Sequence, residues 1–317
     1  MDPVTHALTG LAMSRAGLSR WHAQAPALLM LAAEAPDVDI VSAFNGSYSY
    51  FVHHRWITHA FVAAPVLAIL VSLLFCTVRP SWKRFGAGFL LALLGVLSHL
   101  VLDWTNAYGI RFLLPFDSHW YSLDLVNVVD PWILLVLIIA AVGPLLGRLV
   151  SSEMGARASA GRGLAISALV FFCIYDGGRG LLHQRALDVL ESRVYDGAAP
   201  VRAAAIPTLL NPLAWDGIVE TRRSMKKFQL NLSAAFDPEG GRTWEKPEAS
   251  AALAAAARTE MFRQFLGFSK YPLWSVVPAP GDEDSTEVTV TDLRFGFHVS
   301  AIVNSGGRVQ QTRFAYR

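Results

Sequence analysis

Apolar residues fall in six runs over the first 182 positions, at 3–16, 23–35, 61–78, 85–102, 128–150 and 163–182. Beyond these the pattern shortens and begins to alternate. The last four runs approach the ~20 apolar residues that a spanning helix needs. Runs 61–78 and 128–150 are the cleanest, the second interrupted by Asp130 and Pro131 near its start. Run 85–102 carries Ser98 and His99 near its end, and 163–182 carries Asp176 and Arg179. The first two runs make helices of roughly 20 Å, short for a lone span but adequate inside a bundle. The pattern therefore predicts an all-α transmembrane bundle of about six short spans, four of them well defined. Asp2–Pro3 and Asp130–Pro131 each read as an N-cap followed by the first helical residue. Pro36 should stop the second helix, and Thr58 should cap a helix that begins at His59. The start shows neither the basic stretch nor the Ala-x-Ala site of a signal peptide.

After residue 183 the reading changes to a soluble α+β domain. Residues 183–195 continue as a helix leaving the membrane. Stretches 217–232, 287–291, 295–299 and 309–314 are β-type, and Ser305-Gly306-Gly307-Arg308 is a hairpin turn signal. Residues 248–268 form an Ala-rich helix whose Arg258, Glu260 and Arg263 argue against a seventh span. The expected division is a membrane-embedded domain, 1–182, and an extracytoplasmic α+β domain, 183–317.

Composition agrees. The chain of 317 residues is 53% hydrophobic and 16% charged, against about 25% charged in ordinary soluble domains. Residues 1–182 hold 21 of the 52 charged side chains. That excludes disorder, a collagen-like fibre and a nucleic-acid-binding tail, and a net charge of +2 implies no acidic partner. Cys76 and Cys173 sit in apolar runs and suggest neither a disulfide framework nor a thiolate metal site. Basic residues gather in loops 15–20 (Arg15, Arg20), 79–84 (Arg79, Lys83, Arg84) and 148–162 (Arg148, Arg157, Arg162). With six spans these loops share one side, which the positive-inside rule makes cytoplasmic. The acids and histidines then gather at the outer edge, with both termini outside.

Four clusters there carry possible chemistry. Ionisable groups beside spans are expensive and point to function. His6 lies one turn into the first helix, where a structural histidine is the plain alternative. Asp37 and Asp39, two residues apart after a helix end, suit a divalent cation; solvating helix-end carboxylates are the alternative. His53, His54, Arg55 and His59 form the densest cluster, imidazoles for a metal and a guanidinium for an anionic oxygen. His53 is the most dispensable of them. His99 and Asp103, at i and i+4, project from one helical face as two ligands or as a ligand with its orienting carboxylate. Arg111 suits an anion or a lipid headgroup. No Gly-rich phosphate loop, Gly-x-Ser-x-Gly or His-Glu-x-x-His is present.

These motifs resemble a known family. Met1-Asp-Pro-Val-Thr-His-Ala-Leu-Thr-Gly, Pro36-Asp-Val-Asp, His54-Arg-Trp-Ile-Thr-His59 and His99-Leu-Val-Leu-Asp103, followed by Tyr108-Gly and Leu114-Pro-Phe, are similar to the YdjM-like membrane-bound metal-dependent hydrolases. The resemblance covers about residues 1–182. The family in turn resembles the zinc phospholipase C and P1 nuclease group. It implies His6, Asp37, Asp39, His54, His59, His99 and Asp103 as ligands of one or more divalent ions, zinc first, in a bacterial inner-membrane protein. Trp56 departs from the small residue usual there and alters the pocket's shape. The expected activity is hydrolysis of a phosphoester or lipid-like substrate at the outer membrane–water interface, with membrane lipid as partner. Asp39 or Asp103 would take a proton from water, and Arg55 and Arg111 would stabilise developing charge. The rival reading is a non-enzymatic metal-binding scaffold, sensor or transporter. A transporter would place its ionisable groups near mid-membrane.

Overall fold

A computed structural model describes residues 1–78, 82–153 and 161–316. Arg79 and Arg157, two of the basic loop residues, lie outside them, as do the side chains of Lys83 and Arg148. Nine helices occur among the described residues: α1 (Pro3–Ala16), α2 (Ala25–Glu34), α3 (Ser47–His53), α4 (Ala64–Val78), α5 (Phe85–Thr105), α6 (Pro131–Glu153), α7 (Arg162–Glu191), α8 (Ala251–Ala257) and α9 (Glu260–Phe268). Eight strands complete the list: β1 (Arg202–Pro207), β2 (Ala214–Glu220), β3 (Ser224–Asn231), β4 (Arg242–Glu245), β5 (Pro272–Ala279), β6 (Asp282–Asp292), β7 (His298–Asn304) and β8 (Val309–Ala315). They form two compact units. The helical unit is Met1–Val41, His53–Leu181 and Leu209–Pro212; the second is Ser42–Val52, Leu182–Thr208 and Leu213–Arg317.

The expected count of six spans, four of them well defined, is not supported. Two helices, α5 and α7, are long and apolar enough to cross a membrane, or three if the bent pair Ser47–His59 and Ala64–Val78 counts as one. With fewer spans, the sorting of basic loops to one side loses its basis. The error has a physical source. Helix α2 is apolar because Ala25, Leu28, Leu29 and Ala32 are buried in a core shared with Ala64, Ala68 and Val71 of α4 and Leu91, Ala92, Val96 and Leu100 of α5. Its ten residues span only about 15 Å, half of a hydrocarbon core. Hydropathy does not separate such a helix from a span. Packing is close enough that a Cβ at Gly10 would lie 2.6 Å from Leu29 O, and one at Gly95 2.7 Å from Ala32 Cβ. Outward on α4 to α7, Leu70, Leu74, Leu90, Val101, Leu135, Ile139, Val170 and Ile174 are exposed. Apolar surface of this kind belongs in lipid.

The caps follow the sequence in part. Asp2 Oδ1 accepts from Thr5 N at 3.0 Å, and Asp130 Oδ1 from Trp132 N at 3.0 Å and Ile133 N at 3.2 Å. Helix α2 ends at Glu34, just before Pro36 as expected, and the chain continues as a 3-10 helix over Ala35–Asn45. Proline there removes an α-type hydrogen bond yet tolerates the tighter winding. Thr58 caps nothing; it lies in the 3-10 turn Ile57–His59, and the next helix waits until Ala64.

The second unit holds two four-stranded antiparallel sheets, ordered β1-β2-β3-β4 and β5-β6-β7-β8. The hairpin expected at 305–308 joins β7 to β8. The Ala-rich helix is two helices, because Thr259 caps a new start by accepting from Phe262 N. Phe262, Phe265 and Phe268 are the buried face of α9. Phe51 of α3 packs on Phe265, Phe268 and Phe314 with ring centroids 4.7–5.8 Å away.

Candidate metal centre

The last two turns of α5 supply His99 and Asp103, both fully buried. His99 Nδ1 lies 2.6 Å from Ala33 O near the end of α2. A carbonyl only accepts, so Nδ1 carries the proton and Nε2 presents a lone pair. His59 repeats the device from the 3-10 turn. Its Nδ1 lies 3.2 Å from Asp39 Oδ2, which leaves Nε2 bare and turned inward. Asp37, in the first turn after α2, brings Oδ1 to the same place.

These four atoms converge. His59 Nε2 is 3.1 Å from His99 Nε2, 3.3 Å from Asp37 Oδ1 and 3.6 Å from Asp103 Oδ2. His99 Nε2 is 3.7 Å from Asp37 Oδ1 and 3.3 Å from Asp103 Oδ2. Ligand atoms about 2.0–2.1 Å from a tetrahedral ion would stand about 3.3 Å apart. Imidazole lone pairs and carboxylate oxygens this close repel unless a proton or a metal ion lies between them. Asp103 Oδ2 is buried and has no hydrogen-bond partner, as expected of an oxygen whose partner is an ion. The residues therefore fit a small divalent cation.

The remaining expected ligands surround this core. Asp39 is taken up by donors: His54 Nδ1 at 3.0 Å on Oδ1, and Arg55 N at 2.8 Å and Thr58 Oγ1 at 3.2 Å on Oδ2. It orients His54 and His59. His6 stacks on His99 with ring centroids 3.7 Å apart, and its Nδ1 is buried without a partner. Three overlapping groups could hold an ion: His6, His99 and Asp103; Asp37, His59 and His99; and Asp37, Asp39 and His54. All seven expected ligands appear among them. His53 is exposed beside Trp56 and belongs to none of the three.

Arg55 is turned inward. Its Nη2 lies 2.9 Å from Asp103 Oδ1, and its Nη1 donates to Gly109 O at 2.8 Å and Asn106 Oδ1 at 3.3 Å. Its backbone is left-handed, φ 55°, a conformation rare for a residue with a side chain and held here by these contacts. Arg55 thus fixes the oxygen of Asp103 that faces away from His59. Arg111 is also buried and stacks on Trp120, 4.6 Å from the ring centroid. Sequence reasoning missed two further groups. The Met1 amino group is fully buried, contacts Asp103 Oδ1 and lies 2.8 Å from His6 Nε2. Asn106 Nδ2 lies 3.3 Å from Asp103 Oδ1. Tertiary contact places Met1 there, with the short step from residue 1 to His6 as its one sequence signal; Asn106 follows Asp103 by three residues at the end of α5.

At Asp37, Asp39 and His6 electrostatics favour the ligand form. Burial alone would raise Asp37 and Asp39, but the imidazoles packed against them, His59 and His99 beside Asp37 and His54 and His59 beside Asp39, hold both carboxyls well below the usual carboxylate range. Burial, then the neighbouring His99, keeps His6 neutral well below its ordinary value, the form that binds metal. Burial lowers Arg111 to about 10, with Tyr108 and Asp39 opposing; it stays a cation. Glu34, at the end of α2, was also missed. Burial and the charge of Asp37 raise it to about 7.

Comparison with known proteins agrees with the helical unit. The profile of the YdjM inner membrane protein family matches residues 1–185. An uncharacterized protein of Bacillus subtilis strain 168, YfhP, is 30% identical over 141 residues, 42% of this chain and 43% of the relative. The match thus covers less than half of that relative's length. No solved structure matches the chain, and neither match carries the further similarity to zinc phospholipase C.

Proposed function

Because the chain belongs to the YdjM inner membrane protein family, we propose that it is a membrane-bound metal-dependent hydrolase acting on a phosphoester of a lipid-like substrate. The observation that carries this is the convergence of His59 Nε2, His99 Nε2, Asp37 Oδ1 and the orphaned Asp103 Oδ2. A divalent ion such as zinc, when bound there, supplies Lewis acidity that polarises a phosphoryl oxygen and acidifies water. Asp37 is the ligand nearest solvent, its side chain 20% exposed against 0% for the other three, so substrate approaches from its side. Arg55 holds Asp103 in place rather than facing substrate. Arg111, whose charge is felt at Asp39, is the cation that meets an anionic oxygen. Asp39 positions two imidazoles, and with its oxygens engaged it is not the acceptor of the water proton.

The surroundings favour an amphiphile. Val38, Ile40 and Val41 flank the two aspartates, Trp56 and Ile57 lie between His54 and His59, and all five are exposed. A rim of large apolar side chains around a polar centre suits a substrate presented by a bilayer. The site lies at the C-terminal end of α5, opposite Arg84 at its start. Arg84 at that opposite end supports, by the positive-inside rule, the reading that the site and the C-terminal domain are extracytoplasmic.

Metal analysis of the purified protein beside His59→Ala and Asp103→Ala, with assays on bis-p-nitrophenyl phosphate and a short-chain phospholipid, tests the reading. Stoichiometric metal and metal-dependent hydrolysis, both lost in the variants, are expected. Metal without hydrolysis would leave a metal-binding scaffold, and absence of metal would end the proposal.

A further inference from the structure

The turn between β1 and β2 departs from the sheet it belongs to. Strand pairing ends at Pro207 and Trp215, and residues 208–213 form the tip. Side chains of two helices hold its backbone. Trp132 Nε1, in the first turn of α6, donates to Leu210 O at 3.0 Å. Arg179, on the candidate span α7, donates through Nη1 to Pro212 O and through Nε to Leu125 O at 2.8 Å. The tip therefore groups with the helical unit.

Its side chains point elsewhere. Leu209 is 53% and Leu210 66% exposed, and Thr208-Leu-Leu-Asn-Pro-Leu213 contains no charge. Trp132, which holds Leu210, is itself exposed, and so are Leu135, Ile138 and Ile139 further along α6. Tryptophan at a helix start is typical of the membrane–water interface, and a buried arginine stem with a polar head suits the same level. Water on two adjacent leucines beside a lipid-facing helix would be unfavourable.

We propose that this tip is a membrane anchor, with Leu209 and Leu210 inserted into the lipid at the level of Trp132. The occupant is the bilayer already required by α5 and α7. The anchor is independent of the metal centre and of its chemistry.

The full chain tests this, with Cys76→Ala and Cys173→Ser removing the native thiols. A nitroxide is attached at Leu210→Cys, and separately at Leu209→Cys, in vesicles of phosphatidylethanolamine and phosphatidylglycerol. Power saturation compares relaxation by oxygen with that by a water-soluble nickel chelate. Ile174→Cys, at a residue 69% exposed on α7, is the lipid reference; Glu239→Cys, in an exposed turn of the second unit, is the water reference. Oxygen should dominate at 209 and 210 as at 174. Dominance of nickel, as at 239, would overturn the anchor, and so would low access to both agents, which would mean that protein covers the tip.

Discussion

Both units bury charged side chains, and they close them off in different ways. In the second unit Asp292 and Arg294 are 0% and 7% exposed. Every atom there has its partner. Arg294 Nε and Nη2 meet Asp292 at 3.1–3.2 Å, Ser269 Oγ donates to Oδ2 at 2.7 Å, and the amides of Arg294 and Phe295 donate to Oδ1. In the helical unit Asp103 is just as buried, but only Oδ1 is satisfied. Oδ2 faces two bare imidazole nitrogens, and His6 Nδ1 and Arg55 Nε also lack partners. A buried polar cluster that closes on itself is structure. One that is assembled and left open has a missing member.

The largest expected effect separates the two. Asp103→Ala should abolish stoichiometric metal, read by elemental analysis of protein dialysed against metal-free buffer. Asp292→Ala should leave metal per folded protein unchanged and cost about 3–5 kcal/mol of stability, because Arg294 remains buried without its carboxylate. Chemical denaturation of the detergent-solubilised protein measures the second. Loss of metal in the Asp292 variant, or retention in the Asp103 variant, would erase the distinction.

Much of the site was legible in the sequence because local geometry carries it. His99 and Asp103 share a helical face at any tertiary arrangement, and Asp37, Asp39, His54 and His59 stand in short segments dense in ligands. What was not legible depends on distance along the chain. Arg55 meets Asp103 48 positions away, and the Met1 amino group reaches the same carboxylate from the other end of the unit's sequence. The spans were over-counted for a related reason: α2 is apolar for the sake of its protein neighbours, and a hydropathy run does not say what covers it. In the second unit the turn at 305–308 was readable, whereas the break at Thr259 was hidden in a continuous Ala-rich pattern.

Within the open cluster the comparison sharpens between ligand and support. Asp39 touches His54, Thr58 and His59 rather than completing the four-atom set. Asp39→Asn should weaken metal affinity about 10–100-fold, as loss of an orienting carboxylate does, without abolishing binding. Competition with a chromophoric chelator reads it. His53→Ala, at an exposed residue outside the cluster, should change nothing.

The smallest effect concerns Glu34, which bridges the two kinds of burial: one of its oxygens is buried without a partner, and Asp37 lies close enough to help raise it to about 7. In the unfolded chain the carboxyl titrates near its ordinary value of about 4.3. Between these values the folded protein holds more protons than the unfolded one, so stability falls as pH rises through that window. Above pH 7 the full cost of a buried charge is present; below the ordinary value there is none. Glu34→Gln should therefore raise the unfolding midpoint over wild type at pH 8 and leave it unchanged at pH 4, by tryptophan fluorescence in chelator. A cation bound beside Asp37 offsets that residue's charge and lowers the Glu34 value. The gain at pH 8 should accordingly shrink when divalent metal replaces chelator. An equal gain with and without metal would mean that nothing cationic enters the open cluster, and the contrast with the closed pair at Asp292 would fall with it.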